Sequence, residues 1–478
     1  MRKLLLLAIL LISSGLHAQN ITNSPYSYFG VGTWNNGSNP VFRSMGNTKV
    51  MQALPGVANP YNAASYAFLL KNRPVLNVVA SFRFSEVQTS TDQVNYFNAF
   101  FDNFFLAFPM GNRFGAGIGM MPLTQVGYDF ESVNDGFFSD SAATATNSYQ
   151  GLGGVNKLVF GLSFMPIKNF KNSYSPVSET SKDSIRTFAY NRLSLGVNGN
   201  YLFGTDTRTS LSEFSSSAFR NTASVSSIRY RGWLVEASML YALDFAKDST
   251  NLKGQDFTFG ATYQLGTQIN ANETFLAMTY PGGLDYVNVP EAAFDTIASA
   301  LDQTGKLRVP QRLGTGFSYG MIFNSKDIKR RYLRFTGEIQ WTGWDALDYT
   351  GDANVINYDP QNSMFYGFGL EFIPHKTIAA SNARIGYMEL MSYRLGFNYE
   401  QTQLNVNNNT INKYGINFGL GFPIRINNAV SSINIGFEWL RQGTLTDGLI
   451  LEDYYSCYLG FSLSPGRYDR WFSKRKID

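Results

Sequence analysis

Few residues in this 478-residue chain can do covalent chemistry. There is one cysteine, Cys457, and there are two histidines, His17 and His375. His17 falls in an N-terminal leader, so His375, between Pro374 and Lys376, is the only histidine expected in the mature chain. One histidine and one cysteine make neither a zinc cluster nor a Ser-His dyad, so no metal, no cofactor and no catalytic residue is expected. Gly115, Gly117 and Gly119, and again Gly151, Gly153 and Gly154, look like phosphate loops at first sight. A phosphate loop opens a helix, and these glycines sit in strand patterns with no helix behind them. The charges with a clear pattern are Arg334, Glu338, Glu371, Arg394 and Glu438, each on the small-residue face of an alternating run. Their mixed signs cancel locally, which favours a structural ladder that anchors a plug over a selective solute path.

The elements that carry these charges are strands. Tyr393, Leu395, Phe397 and Tyr399 alternate with Arg394, Gly396, Asn398 and Glu400, and the pattern repeats through 414–422, 433–439 and 455–463. A period of two places bulky apolar residues on one face and small or polar ones on the other. A soluble sandwich would bury the bulky face and expose a mostly polar one. Here the opposite face is rich in glycine and carries isolated charges, as in a barrel with lipid outside and a crowded wet lumen inside. Aromatic residues make up 15% of the chain and charged residues only 15%, against roughly 25% charged in an average soluble protein. Beyond the leader no apolar run approaches the ~20 residues of a spanning helix.

The expected fold is therefore all-β, a transmembrane antiparallel barrel of about 14 strands with an N-terminal lumenal hatch. Residues 1–18 read as a signal peptide, with Arg2 and Lys3, an apolar core from Leu4 to Ile12, and Ala18 before Gln19. Residues 19–73 lack alternation, hold Pro25, Pro40, Pro55 and Pro60 with Tyr26, Tyr28 and Phe29, and are assigned to the hatch. The barrel is expected over 74–464, with strands near 75–88, 98–109, 112–128, 147–165, 189–204, 224–244, 255–281, 305–323, 331–346, 362–374, 390–402, 411–424, 430–442 and 453–464. Residues 465–478 form a basic periplasmic tail, and 166–188 a polar periplasmic insertion. Three glycine rows, at 115–119, 314–320 and 415–421, leave room for the hatch, with Tyr26, Phe29 and Phe42 expected against them. Two outer loops show helical spacing: Leu211, Phe214 and Ala218 in one, Phe294, Ile297, Ala298 and Leu301 in the other. Phe214, Phe294, Ile297 and Leu301, with Tyr26 and Phe29, are the candidate ligand-binding residues. The formal net charge of +4 includes Arg2 and Lys3 of the leader, so the mature chain is near neutral and no nucleic-acid partner is expected.

Several segments, taken in order, resemble one family. They are Phe42-Arg43-Ser44-Met45-Gly46, Asn59-Pro60, Asn62-Ala63-Ala64-Ser65-Tyr66, Phe104 to Phe108 before Pro109, Gly151 to Gly154 with Phe160-Gly161-Leu162, and Gly337 to Trp344. Together they are similar to the FadL/TodX-type outer-membrane transporters of hydrophobic compounds, in the branch that also contains accessory barrels of secretion machines. The resemblance implies a 14-stranded barrel in the outer membrane of a Gram-negative bacterium, with a hatch box of sequence Asn-Pro-Ala and outer loops that collect an apolar ligand. The box positions here are Asn59, Pro60, Asn62, Ala63 and Ala64, with alanine where the family has the proline of Asn-Pro-Ala. The implied partners are outer-membrane lipid and a hydrophobic small molecule. The alternative reading is a non-transporting barrel that serves as a subunit or docking platform of a secretion or barrel-assembly complex, with other outer-membrane or periplasmic proteins as partners. The altered box, the 166–188 insertion and the basic tail favour that alternative.

Overall fold

The computed structural model describes residues 22–35, 39–134, 144–175, 184–216, 218–245, 254–280, 295–324, 330–350, 358–375, 386–424 and 431–464. Fourteen strands close into one antiparallel barrel. The first seven are β1 (Val75–Gln88), β2 (Gln93–Met110), β3 (Phe114–Asn134), β4 (Ala145–Ser175), β5 (Ser184–Phe214), β6 (Asn221–Phe245) and β7 (Gly254–Gln264 with Thr267–Tyr280). The others are β8 (Asp295–Gln303, Lys306–Val309 and Arg312–Asn324), β9 (Arg330–Thr342 with Asp348–Thr350), β10 (Ser363–Ile373), β11 (Ser392–Val406), β12 (Asn409–Ile424), β13 (Ser431–Gly443) and β14 (Leu451–Leu463). The interrupted strands count once each because both parts of β7 pair with β6, and all three parts of β8 pair with β7. Pro310, which has no N–H to give to a ladder, marks one of the breaks in β8. The ring closes where β14 pairs with β1, from Leu451 opposite Gln88 to Leu463 opposite Leu76.

Alternation decides which side faces what. Phe335, Ile339, Phe368, Leu395, Phe418 and Phe437 all point out and are exposed, while Glu338, Glu371, Arg394 and Asn417 point in and are buried. A girdle of exposed aromatic and aliphatic side chains is costly in water and favourable in hydrocarbon. A closed ring also leaves few backbone groups without partners, as a membrane demands. The chain is a transmembrane β-barrel.

The hatch, residues 22–35 and 39–73, is nearly all buried, with short helical turns at Pro25–Tyr28, Pro40–Arg43 and Ala63–Phe68 and a two-residue strand at Thr33–Trp34. Wall glycines inside and outside the expected rows meet the hatch's backbone and also its Tyr66 ring, which lies against Gly117 and Gly161. A Cβ on Gly396 would strike Met45 and Gly46, one on Gly115 would strike the backbone of Tyr66 and Ala67, and one on Gly196 would strike Ala63 and Ala64. Phe42 does not lie on a glycine wall. It is fully buried in the hatch's own cluster with Val41, Met45 and Val57. Part of each row is filled by the wall itself: Gly119 faces Phe105, Gly320 faces Asp256 and Tyr332, Gly415 faces Asn398, and Gly421 faces Arg394.

Three expected connections turn out differently. Residues 205–214 continue β5, where Leu211 is buried with Ala223, Met278 and Tyr280, and Phe214 packs 5.6 Å from Phe219. The run Thr205, Thr207, Thr209 carries β-branched residues that favour a strand over the helix suggested by Leu211 and Phe214. Residues 295–303 are likewise a strand, pairing with β7 from Asp295 opposite Thr279 to Gln303 opposite Glu273, so Ile297 and Leu301 lie on no helix. Phe294 lies outside the described residues. Within the expected 166–188 insertion β4 and β5 stay paired out to Ser175 opposite Ser184, and residues 176–183 lie outside the described residues. The signal peptide and the tail, 1–18 and 465–478, lie outside the described residues.

Candidate functional site: the hatch and the open seam

Strand alternation brings the inward charges to the hatch. The Pro40–Arg43 turn is capped by Asn39, whose Oδ1 accepts from Val41 N at 3.0 Å, and this fixes the direction of Arg43. Arg43 reaches Asp102 at 3.2 Å and Glu438 at 3.8 Å, and stacks over the Tyr458 ring at 3.7 Å. Glu338 accepts the backbone N–H of Lys49 at 2.6 Å and of Val50 at 2.8 Å. These are charge-assisted bonds, about twice as strong as neutral ones. The Lys49 ammonium sits 4.5 Å from the Tyr61 ring, and burial lowers its pKa to about 8 against the pull of Glu338. The remaining inward charges form a wall cluster in which Glu371 bridges Arg394 at 2.8 Å and Arg334 at 3.6 Å. The expected ladder is therefore two devices, one holding the hatch and one bracing the wall.

The box residues are joint pieces. Asn59 Nδ2 donates to Lys49 O at 2.7 Å and Gln52 O at 3.1 Å. Asn62 Nδ2 donates to Val50 O at 2.5 Å, and its Oδ1 caps the next turn by accepting from Ala64 N at 3.0 Å. Pro60 O accepts from Asn198 on β5 at 2.9 Å, while Ala63 and Ala64 are fully buried against the wall. Proline at position 63 would keep a suitable φ but is not required, because Asn62 already starts the turn.

The barrel wall is incomplete between β2 and β3. These strands pair only from Met110 opposite Phe114 to Phe104 opposite Met120. Beyond Met120, β3 swings inward: its register against β4 slips between Pro122 and Thr124, and Leu123 through Tyr128 are buried on both faces. The edge that β3 turns away from β2 is taken up by the hatch. Thr33 pairs with Gln125 and Trp34 with Thr124, Asn35 N donates to Leu123 O at 2.9 Å, and Ser24 N donates to Gly127 O at 2.8 Å. Among the described residues, Gln93–Asn103 of β2 pair only with β1. Pairing with β1 places Phe97 and Phe101, both exposed, beside Phe84 and Ala80 of the apolar girdle. The break in the β2–β3 ladder therefore lies beside the apolar girdle.

An aromatic cluster stands where the seam meets the loop end. Tyr28 of the hatch lies 5.3 Å from Tyr128, 5.8 Å from Phe130 and 6.1 Å from Tyr149, and Phe29 lies 5.8 Å from Tyr358. Tyr26 is anchored beside it, donating to Ile450 O at 2.7 Å within a cluster of Leu404, Ile411 and Leu449. The structure thus brings Tyr26 and Phe29 together at the mouth, but leaves Phe214, Ile297 and Leu301 apart on the projecting ends of β5 and β8. Sequence reasoning passed over Tyr128, Phe130, Tyr149 and the seam. One signal was present: Pro122 inside an apparent wall strand, since proline is confined to strand edges and bulges. Among the described residues no group of three or more His, Cys, Asp or Glu could hold a metal ion.

No curated protein matches the chain in sequence. Among solved structures, it is similar to the Ralstonia pickettii toluene transporter TbuX at 14% identity and a TM-score of 0.48, over 90% of this chain and 98% of that one. A Pseudomonas aeruginosa FadL homologue has 14% identity and a TM-score of 0.47, over 91% and 98%. The Pseudomonas putida toluene transporter TodX has 12% identity and a TM-score of 0.47, over 93% and 99%. The family model that matches is that of BamG, over residues 1–174 and 185–478, and the chain belongs to the BamG family.

Proposed function

We propose that this barrel sits in the outer membrane of a Gram-negative bacterium and passes hydrophobic small molecules from its loop end sideways into the bilayer. The seam carries this reading. A closed wall gives an apolar molecule no way out of the lumen except into water, whereas the gap beside Phe97 and Phe101 opens into hydrocarbon. The aromatic cluster of Tyr28, Tyr128, Phe130 and Tyr149 offers flat apolar surface at the head of that route. The hatch, pinned by Arg43 and Glu338, blocks straight passage down the barrel axis.

A second reading, a barrel that docks a membrane partner, is favoured by the same edge. A strand from a partner would give the Gln93–Asn103 stretch of β2, which pairs with β1, a second neighbour in the membrane. One experiment separates the two. Uptake of an apolar fluorescent probe is measured in cells carrying the parent or Tyr28→Ser with Phe130→Ser, alongside photocrosslinking from position 101. Slower uptake in the variant, with only lipid or probe crosslinked, supports transport. Unchanged uptake, with a stoichiometric protein crosslinked at position 101, overturns it in favour of docking.

A further inference from the structure

We infer that the lumen holds a binding site for a small oxyanion, a phosphate or a free carboxylate, between the hatch and the β1, β3 and β14 wall. A cavity of about 90 Å³ lies there, several times the room that one water needs. Arg83, Gln125 and Ser456 line it, and Arg83 Nε, Gln125 Nε2 and Ser456 Oγ are buried with no hydrogen-bond partner. Gln125 and Ser456 are only 6% and 5% exposed. All three atoms can donate. A buried donor without an acceptor is costly, and three around one cavity call for a group that only accepts.

The charges lining the cavity point the same way. Arg43 is already held by Asp102 and Glu438. Glu438 in turn accepts from Asn417 at 2.7 Å and from Tyr458. Glu400 and Lys413 stand directly opposite each other on β11 and β12. Arg83 has two aromatic rings for company, Phe100 at 5.1 Å and Tyr454 at 5.3 Å, and these leave its planar donor edge uncommitted. A guanidinium presenting that edge to a polar cavity suits the bidentate geometry of phosphate or carboxylate.

The full-length protein, purified in detergent, is titrated calorimetrically with inorganic phosphate and separately with acetate. The two arms distinguish the phosphate source of this chemistry from the carboxylate one. Saturable binding of either ion is expected, weakened about tenfold by Arg83→Gln and less by Arg83→Lys. Should Arg83→Gln fail to fold, Ser456→Ala removes one donor at little structural cost and must weaken the same binding. Absence of binding by both ions at millimolar concentration, or equal binding by parent and variants, overturns the site. Neither result bears on apolar uptake.

Discussion

The wall formed by β11 to β14 and the wall around β3 are built from the same kind of strand, and they behave differently. Through the middle of β11 to β14, over 394–399, 415–422, 433–439 and 455–462, each strand is paired on both sides and burial alternates. In β3 the first seven residues do the same, and the next stretch is buried on both faces with one edge given to the hatch. Alternation is thus the mark of a strand that separates lipid from lumen. In β3 its loss coincides with the loss of pairing to β2, and the two together mark a strand that has left the wall. There the hatch, in place of β2, supplies the neighbour of the β3 edge.

The largest effect should come from charging the regular wall. Phe437, in the middle of β13 and 48% exposed, faces hydrocarbon, so Phe437→Arg is expected to cost about 2–4 kcal/mol. Val133 is more exposed still, at 61%, but lies near the loop end of β3 beyond the girdle, and Val133→Arg should cost at most about 1 kcal/mol. Heat-modifiable gel mobility in a urea series reads both, and equal losses would refute the placement of the girdle. Asn434, an inward residue of the same strand, would not serve as a neutral control. It is buried and accepts from Arg394 at 3.1 Å, so an arginine there would meet a like charge.

A smaller effect should separate the hatch from the wall it seals. Gly46 has φ +66°, and a Cβ there would press on the carbonyls of Phe368 and Phe397. Gly46→Ala should cost the hatch about 1–3 kcal/mol through strain and contact, while strand pairing stays intact. Faster proteolysis of residues 39–73 and higher ion conductance in a still-folded barrel are expected. Protection equal to that of the parent would mean that this contact does not hold the hatch.

The smallest effect is a dependence on pH. Burial lowers the Lys49 ammonium to about 8, and a free lysine titrates near 10.4. The released hatch therefore binds more protons than the docked one between these values, so docking should tighten as pH rises from about 8 towards 10.4. Below that window the cost of the buried charge is fully present. Protease protection of the hatch should rise across it in the parent and stay level in Lys49→Met; a level parent profile would show that Lys49 is hydrated.

The regular part of this fold was legible because each wall residue answers to one choice, lipid or lumen. That choice gave all fourteen strands and the inward side of Glu338, Glu371, Arg394 and Glu438. The rest answers to several demands at once. Leu211 and Phe214 have helical spacing on a strand because a projecting sheet buries one face there, and lipid no longer dictates the other. Residues 121–128 read as a wall strand because a buried strand is also apolar, and only Pro122 hinted at a free edge. The hatch joints, Asn59 to Lys49 and Gln52 and Asn62 to Val50 and Ala64, are invisible to any periodicity because they belong to turns. Phe42 was expected on a glycine wall, but the hatch parts that meet wall glycines include the backbone of Met45 and Gly46 and the ring of Tyr66.

The hatch's hold on β3 also sets an order of assembly. Ser24 donates to Glu452 at 2.8 Å, joining the two ends of the described chain across 428 positions, and the ring is closed by β14 on β1 around the residues between. Contacts of such separation form late, because the loop must be closed before they return any energy. The bond from Ser24 to Glu452 must therefore wait until the last strand arrives. A ring that closed without the hatch would be left with the bare edge of β3 inside it and no easy way to thread the segment in. Closure around a hatch already seated is the productive route, and the N-terminal segment acts as the form on which the barrel is cast.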